Sequence, residues 1–391
     1  MTSVPPQPAP ADDRASIDLV DLFAGPGGLD VAAHWLGIPA LGIEWDSNAC
    51  ATRTKAGLVT EPGDVRNYGP EKFPNAKYLA GGPPCQTYTV AGGGAGRRAL
   101  DQVLAFVARM AAGEPFHLIK EDLVQLEDER TALVLEPLRW ALGAEAAGHP
   151  YEAIVLEQVP AVLPVWKEMA LVLNARGYTT AVGILHTEEF GVPQTRRRAI
   201  LIARREEFGQ AALPEPTHQR YRKGVPRKPQ GGEGVKPWVT MADTLDRKEA
   251  FEVVSNYGTG GDPKARGRRS WNEPSATVTG KISRNRVVTS RGESRFDHAE
   301  AGRLQTFPRD YPWQPKDVPQ QIGNAIPPRL AAHVLAAALG KTVDPDSLDA
   351  FVRLDWETSK RGNLIATPLA EGPKDSEEGT GPQAEPLPLD A

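Results

Sequence analysis

The first half of the chain alternates short apolar runs with amphipathic stretches. Runs rich in Ile, Leu and Val predict strands, and apolar residues at helical spacing between them predict helices at 29–37 and 131–145. The predicted strands lie at 16–23, 40–46, 76–82, 151–157, 178–187 and 197–203. This alternation favours an α/β fold built on a doubly wound, mostly parallel sheet. Ligands of such sheets bind at the carboxyl ends of the strands.

The alternation stops at about residue 204. Residues 205–270 are rich in Pro, Gly, Arg and Lys and have little periodicity, which predicts a smaller irregular domain or a large insertion. A strong helix is predicted again at 327–341, beginning at two prolines. We therefore expect a first domain at 16–203, a second at 204–295 and a return to the first at 296–345.

The composition of the chain limits the class of protein and the kinds of site that are possible. The chain has 391 residues, 40% hydrophobic and 24% charged, as in soluble proteins of more than one domain. No apolar run reaches the ~18 residues that cross a bilayer, and the N-terminus lacks a signal-peptide pattern. The termini, 1–15 and 366–391, are Pro-rich, polar and free of aromatic residues, which predicts disorder. Two cysteines exclude a disulfide framework and a four-cysteine zinc site, so we expect no metal.

Charge is distributed unevenly along the chain. The net charge of −5 is the balance of −7 over 1–203, +8 over 204–295 and −6 over 296–391. A basic block between acidic ones suits a module that faces nucleic acid, although a solvated surface gives the same pattern. The candidate phosphate or base contacts are Arg220, Arg222, Lys223, Arg227, Lys228, Arg266, Arg268 and Arg269.

A glycine-rich turn, Phe23-Ala24-Gly25-Pro26-Gly27-Gly28, follows the first predicted strand and opens a helix. About 20 residues on, Glu44 closes the next strand, where a carboxylate can bind the two hydroxyls of a ribose. Trp45 beside it offers a stacking surface. Asp64 either accepts from an adenine amino group or is an ordinary turn residue. The glycine spacing matches neither a dinucleotide nor a triphosphate motif, which favours a nucleoside without a phosphate chain.

Cys85 follows two prolines at the end of a predicted strand. Isolated cysteines are usually buried and inert, and this is what we expect of Cys50 in its helix-like stretch. A cysteine on a rigid turn differs, because the turn holds its thiol at the strand end instead of packing it in a core. The blocks that accompany Cys85 strengthen this interpretation.

Residues 81–89 resemble the Pro-Cys-Gln motif of the DNA (cytosine-5) methyltransferases, and the other blocks follow in that family's order. These are 23–28 with Glu44, Trp45 and Asp64; Glu157-Gln158-Val159; Gln194-Thr195-Arg196-Arg197-Arg198; Arg295 and Glu300 with 303–308; and 321–328. The resemblance covers about residues 17–340. It implies a Rossmann-like methyltransferase fold that binds S-adenosylmethionine, with target recognition at 204–295.

The resemblance also implies a role for each site residue. Cys85 would add as a thiolate to C6 of a cytosine flipped out of the duplex, so that C5 can attack the methyl group. Glu157 would protonate or hydrogen-bond N3, and Arg198, with Arg196 beside it, would donate to O2. Arg197 would face phosphate. The cofactor residues expected are Phe23, Ala24, Gly25, Gly27, Gly28, Glu44, Trp45, Asp64, Val65, Pro84, Asn324 and Ala325.

Double-stranded DNA is the expected partner, and the protein is expected to be a monomer in the cytoplasm of a bacterium or a phage-infected cell. It would belong to a restriction–modification system, with a separate cognate endonuclease, or be an orphan or phage enzyme. The glycine-rich segment 91–98 suits a loop that closes over the flipped base, or an idle flexible loop.

Two features depart from the family's pattern. Gln158 replaces the usual asparagine, which is compatible with plain methyl transfer, with lower activity or with transfer of a bulkier group. The segment between Arg97 and Asp128 is longer than a compact member needs. The alternatives are the same chemistry on RNA and a non-catalytic relative that binds nucleic acid; the retained Cys85, Glu157 and Arg198 oppose the latter.

Overall fold

The structure is a computed structural model. It describes residues 16–84, 88, 98–124, 126, 128–227, 235–258, 266–314, 316–360, 364 and 366–368. Cys85, residues 91–97 of the glycine-rich segment, Lys228 and the N-terminal segment 1–15 lie outside the described residues. Predictions made for them stay predictions.

A seven-stranded sheet forms the centre of the fold. Its strands are β1 Leu19–Leu22, β2 Ala40–Glu44, β3 Val59–Pro62, β4 Tyr78–Gly81, β5 Ala153–Gln158, β6 Tyr178–His186 and β7 Arg197–Arg205. The order across the sheet is β3-β2-β1-β4-β5-β7-β6, and only β7 runs antiparallel to its neighbours. The predicted α/β fold with a mostly parallel sheet is therefore confirmed, and strands occupy all six predicted positions.

Helices cover both faces of this sheet. They are α1 Gly28–Trp35, α2 Ser47–Ala56, α3 Leu100–Ala111, α4 Phe116–Leu123, α5 Glu136–Ala146 and α6 Leu163–Asn174. Because side chains alternate along a strand, Val20 and Leu22 enter the core on the face of α3, α5 and α6, whereas Leu19 enters the core on the face of α1. The long segment after Arg97 thus adds two helices to one core. No helix in the described part of the chain is long and apolar enough to cross a membrane.

A second unit is built on a small antiparallel sheet. Its strands are β8 Glu252–Gly258, β9 Arg266–Ser270, β10 Arg286–Thr289 and β11 Gly292–Ser294, and its helices are α7 Met241–Thr244, α8 His298–Leu304 and α9 Val318–Asn324. Met241, Val253, Leu304 and Ile322 share its core. The sequence predicted an irregular domain that ends at 295, but this core continues through α8 and α9, and four strands are present.

The chain returns to the large sheet through α10 Pro328–Ala338, which packs against α1, and then continues through β12 Lys341–Val343, α11 Pro345–Phe351, α12 Trp356–Ser359 and β13 Ala366–Pro368. We call residues 341–368 the C-terminal extension. The predicted disorder from residue 366 is wrong at its start, because 366–368 pair with β12 by backbone hydrogen bonds. Residues 369–391 lie outside the described part.

Candidate functional site

A cleft of about 680 Å³ opens at the carboxyl ends of β1, β2, β4 and β5. This is the edge at which parallel α/β sheets bind ligands. Residues 317–326, which include the end of α9, form the opposite wall. The cleft therefore lies between the large sheet and the second unit, and its volume suits a ligand of nucleoside size.

The glycine-rich turn forms one end of the cleft. Phe23, Gly25 and Gly27 have positive φ angles of 62°, 57° and 102°, a region that side chains with a Cβ disfavour. At Gly28 a Cβ would overlap the carbonyl oxygen of Ile326. The sequence therefore needs glycine here for two reasons, the left-handed backbone and the close approach of the opposite wall.

Glu44 supports this turn from the end of β2. Its Oε2 accepts from the N–H of Gly25 at 2.7 Å, and its Oε1 accepts from the N–H of Asp46 at 2.7 Å. Burial raises the pKa of Glu44, and the two backbone N–H groups oppose that rise. A carboxylate has about four acceptor positions, so the group retains capacity for hydroxyls. Trp45 is 74% exposed beside it, which leaves its ring available for stacking.

Asp64 lies on the same side of the cleft, after β3, and is already engaged. Arg66 Nε donates to both of its carboxylate oxygens at 3.0 Å, and the backbone N–H of Arg66 donates at 2.9 Å. Burial alone would raise the pKa of Asp64, but the hydrogen bonds from Arg66 lower it. Val65 is buried, and its carbonyl accepts from Arg139 at 3.1 Å. Both predicted residues line the cleft.

Asp21 is a cleft residue that the sequence reasoning missed. It belongs to β1, is 3% exposed and lines the cleft, and among the described residues its carboxyl group has no hydrogen-bond or ion-pair partner. Burial and then the charge of Asp30 raise its pKa well above the ordinary value. The only sequence signal is an acidic residue inside an otherwise apolar strand.

Glu157 and Arg198 meet at the other end of the cleft. Arg198 Nε lies 2.5 Å from Glu157 Oε1, and each side chain keeps 11% of its surface exposed. The end of β5 supplies the carboxylate and the start of β7 supplies the guanidinium, because β7 runs antiparallel beside β5. Pro83 and Pro84 line the cleft next to them, immediately before Cys85.

Gln158 connects β5 to the segment that leads to Cys85. Its Nε2 donates to the carbonyl of Pro83, and its Oε1 accepts from the N–H of Val159 at 2.5 Å. The side chain is buried. The amide that replaces the usual asparagine therefore uses both of its polar ends within the protein.

Arg196 lines the cleft and also connects the two units of the fold. Its guanidinium donates to the carbonyls of Val278 at 2.9 Å, Gly323 at 3.1 Å and Ala325 at 3.3 Å, and it is 2% exposed. It lines the cleft but fastens the second unit to the large sheet. The contact of Arg196 with cytosine stays a prediction, and the contacts that the structure shows are those that connect the two units.

Asn324 and Ala325 reach the cleft at the end of α9. Gln320 Nε2 donates to Asn324 Oδ1 at 2.6 Å. At Gly323 a Cβ would overlap the backbone of Thr279 and Gly280. Glycine at 323 thus lets the end of α9 pack against the backbone of Thr279 and Gly280 closely enough to place Asn324 at the cleft.

The candidate nucleic-acid contacts of the basic block fall into two groups. Arg227 pairs with Asp243 at 2.9 Å, Arg268 pairs with Glu252, and Arg269 Nη1 donates to Tyr221 Oη at 2.7 Å. Among the described residues, no ion pair or side-chain hydrogen bond involves the second group, which is Arg220, Arg222, Lys223 and Arg266. Charge counting could not separate the groups, because the carboxylate partners lie in the same block.

No group of three or more His, Cys, Asp or Glu residues in the described ranges could hold a metal ion. The polar atoms of the cleft suit an organic ligand with hydroxyl and cationic groups, since acidic side chains lie at the ends of β1, β2 and β5.

The chain is similar to known proteins in both sequence and fold. Residues 17–113 and 150–340 match the family model for C-5 cytosine-specific DNA methylase. Type II methyltransferase M1.HphI of Haemophilus parahaemolyticus is 26% identical over 83% of this chain and 87% of its own length. M.NgoFVII of Neisseria gonorrhoeae is 26% identical over 86% and 89%. The fold is similar to Entamoeba histolytica methyltransferase EhMeth, with a TM-score of 0.56, 13% identity and coverage of 83% of this chain and 98% of EhMeth.

Proposed function

Because the chain belongs to the C-5 cytosine-specific DNA methylase family, it is a DNA cytosine-5 methyltransferase, and we propose how it works. It takes the methyl group of S-adenosylmethionine and places it on C5 of a cytosine flipped out of double-stranded DNA, with Cys85 as the covalent nucleophile. The observation that carries the proposal is one cleft that holds the glycine-rich turn with Glu44 at one end and the Glu157–Arg198 pair at the other.

The cofactor end fits an adenosyl group with a cationic side chain. Glu44 has acceptor capacity for ribose hydroxyls, and Trp45 offers an exposed ring. The space beside Gly25 is open, because no atom lies within 4 Å of where a Cβ would be. A positive charge bound beside Asp21, whose pKa burial raises, would favour the ionised form of this carboxyl group. S-adenosylmethionine supplies a methyl group on a cationic sulfur when bound.

The end of the cleft with Glu157 and Arg198, which we call the base end, supplies groups for nucleophilic addition to a cytosine ring. The Cys85 sulfur forms a bond to C6, which moves an electron pair toward N3 and makes C5 nucleophilic. Glu157, with a proton on its carboxyl group, stabilises the charge at N3, and Arg198 donates to O2. Transfer of the methyl group to C5 releases S-adenosylhomocysteine. Water then accepts the C5 proton, the C5–H electron pair restores the C5–C6 double bond, and the C6–S pair leaves with the Cys85 thiolate.

Duplex DNA is the proposed substrate. Its proposed contact is the segment of Arg220, Arg222 and Lys223, which we call the basic arm. Arg220, Arg222 and Lys223 are exposed and form no ion pair in the described part of the chain, so each can neutralise a backbone phosphate. Extruding the target base from the stack then gives it access to the cleft. The relatives M1.HphI and M.NgoFVII are Type II methyltransferases, which supports a proposed role in restriction–modification.

The test is mass spectrometry of nucleosides from unmethylated duplex DNA incubated with the protein and S-adenosylmethionine. We expect 5-methylcytosine with the native protein and none with Cys85→Ala. A parallel incubation with RNA distinguishes the substrates. Methylation of RNA alone, or a heavier group on cytosine, would contradict the proposal as stated.

A further inference from the structure

The glycine-rich turn is held from two sides at neighbouring residues. On one side Glu44 accepts from the N–H of Gly25. On the other side the Tyr311 hydroxyl donates to the carbonyl of Pro26 at 2.5 Å. The same hydroxyl would lie 3.0 Å from a Cβ at Gly27. Two side chains that are distant in sequence therefore fix two peptide groups of the turn, the one between Ala24 and Gly25 and the one between Pro26 and Gly27.

Tyr311 is itself rigidly placed. It is 4% exposed, and its ring packs against those of Phe307 at 4.8 Å, Trp313 at 4.9 Å and Trp356 at 5.5 Å between centroids. Burial raises the pKa of the hydroxyl, so the group stays protonated and able to donate. Pro26 is the hydrogen-bond acceptor that the structure gives it.

Trp356 belongs to the C-terminal extension, which begins after the family match ends at residue 340. Its indole N–H donates to the carbonyl of Ala56 at 2.9 Å, and its backbone N–H donates to Asp310 at 2.5 Å. The residue is 1% exposed. The extension thus buries an aromatic side chain directly behind Tyr311.

We propose that Tyr311 is a positioning residue for the cofactor turn and that the C-terminal extension, through Trp356, sets the affinity of the cleft for the adenosyl cofactor. Without the Tyr311 hydroxyl, the two left-handed glycines would leave the turn free to adopt other conformations. Ordering it would then oppose binding, because lost conformational freedom is part of the cost of association. The proposal rests on the proposed use of S-adenosylmethionine.

The test measures binding of S-adenosylmethionine and of S-adenosylhomocysteine by calorimetry in the full chain carrying Tyr311→Phe. One hydrogen bond is lost while the ring remains, so we expect both dissociation constants to rise about 2- to 12-fold, the range of one net hydrogen bond. The turnover number at saturating cofactor should stay unchanged, because Tyr311 does not reach the base end of the cleft.

The matched control is Tyr178→Phe. Tyr178 is 2% exposed and donates to the carbonyl of Tyr151 at 2.7 Å, the same kind of bond in the core on the other face of the sheet. It should lower thermal stability without changing cofactor affinity. Trp356→Phe, which keeps a ring behind Tyr311, should raise the dissociation constants less than Tyr311→Phe does.

Each outcome decides a separate point. Native dissociation constants in Tyr311→Phe, or an equal rise in the Tyr178→Phe control, would overturn the positioning role. An unchanged affinity in Trp356→Phe together with Trp356→Ala would overturn the role of the extension. Failure of the native protein to bind either compound would instead count against the proposed cofactor.

Discussion

The ion pair between Arg53 and Asp30, beneath the glycine-rich turn, gives the sharpest prediction for stability. Arg53 Nη1 lies 2.7 Å from Asp30 Oδ2 and Nη2 lies 2.7 Å from Asp30 Oδ1, with side-chain exposures of 0% and 1%. Asp30→Asn keeps the shape of the side chain but removes the carboxylate that pairs with the buried Arg53 guanidinium. Arg53 also donates to Thr60 Oγ1 at 3.0 Å and to the Val59 carbonyl at 3.1 Å, so it is not free to swing into solvent.

Removing one partner of a buried pair costs about 3–5 kcal/mol. Total stabilities are about 5–15 kcal/mol, so Asp30→Asn should remove a large part of the free energy of unfolding. The assay is urea unfolding at pH 7, with the free energy obtained by linear extrapolation and the slope compared with that of the native protein. If the dependence of the free energy of unfolding on urea concentration is the same in both proteins, the loss of stability belongs to the folded state.

The double variant Asp30→Leu/Arg53→Met separates the pair from the packing. Replacing both charges by apolar groups of similar volume is often neutral, so the double variant should be more stable than Asp30→Asn alone. Two results would refute the reasoning. One is a loss below about 1 kcal/mol in the single variant, and the other is a double variant whose loss equals the sum of the two single losses.

Three further predictions concern the cleft and the arm. Since burial raises the pKa of Asp21 above 3.8, the folded state holds a proton that the unfolded state releases. The free energy of unfolding should therefore fall by up to about 1.4 kcal/mol per pH unit as the pH rises from 3.8 toward the folded pKa. In urea unfolding, Asp21→Asn should abolish this dependence. The same pH dependence in the variant and in the native protein would contradict the prediction. Gly323→Ala should lower the free energy of unfolding by about 1–3 kcal/mol through overpacking and weaken cofactor binding. An unchanged melting temperature together with an unchanged affinity would contradict this prediction. Arg220→Ala should lower the salt slope of DNA binding by about 0.9, whereas Arg268→Ala, already paired with a carboxylate, should not; equal slopes would speak against an Arg220 phosphate contact.

Local patterns predicted much of the large sheet. Six apolar runs marked strands because buried parallel strands are nearly continuous in Ile, Leu and Val. The glycine turn and Glu44 were found from their spacing, since turn and strand end are close in sequence. The second sheet was missed because β9 reads Arg-Gly-Arg-Arg-Ser and carries no apolar alternation.

The sequence does not predict which distant residues contact a given side chain. Arg196, just before β7, and Arg198, within β7, are two residues apart. One binds the carbonyls of Val278 and Gly323, and the other faces Glu157. Only the packing of the second unit against the sheet separates their roles. The contact of Tyr311 with Pro26 spans 285 positions in the chain, and no local pattern reports such a contact.

Cys85 is the residue proposed to attack the cytosine ring, and Cys50 of the same chain serves as an internal control. Cys50 is 1% exposed and its Sγ contacts the carbonyl of Glu44 at 3.2 Å. Burial, and then the charge of Glu44, raise the pKa of Cys50 to about 12, so it stays a thiol at neutral pH. Only one of the two cysteines is therefore expected to react.

The most direct measurement is covalent trapping on a duplex in which 5-fluorocytosine replaces the target cytosine, with S-adenosylmethionine present. Fluorine cannot leave C5 as a proton does, so the C6–S bond should persist through denaturation. Peptide mass spectrometry should then find the modified nucleotide on the peptide that contains Cys85 and none on the peptide that contains Cys50. Methylation of ordinary duplex without any trapped adduct, or an adduct on Cys50, would contradict the account.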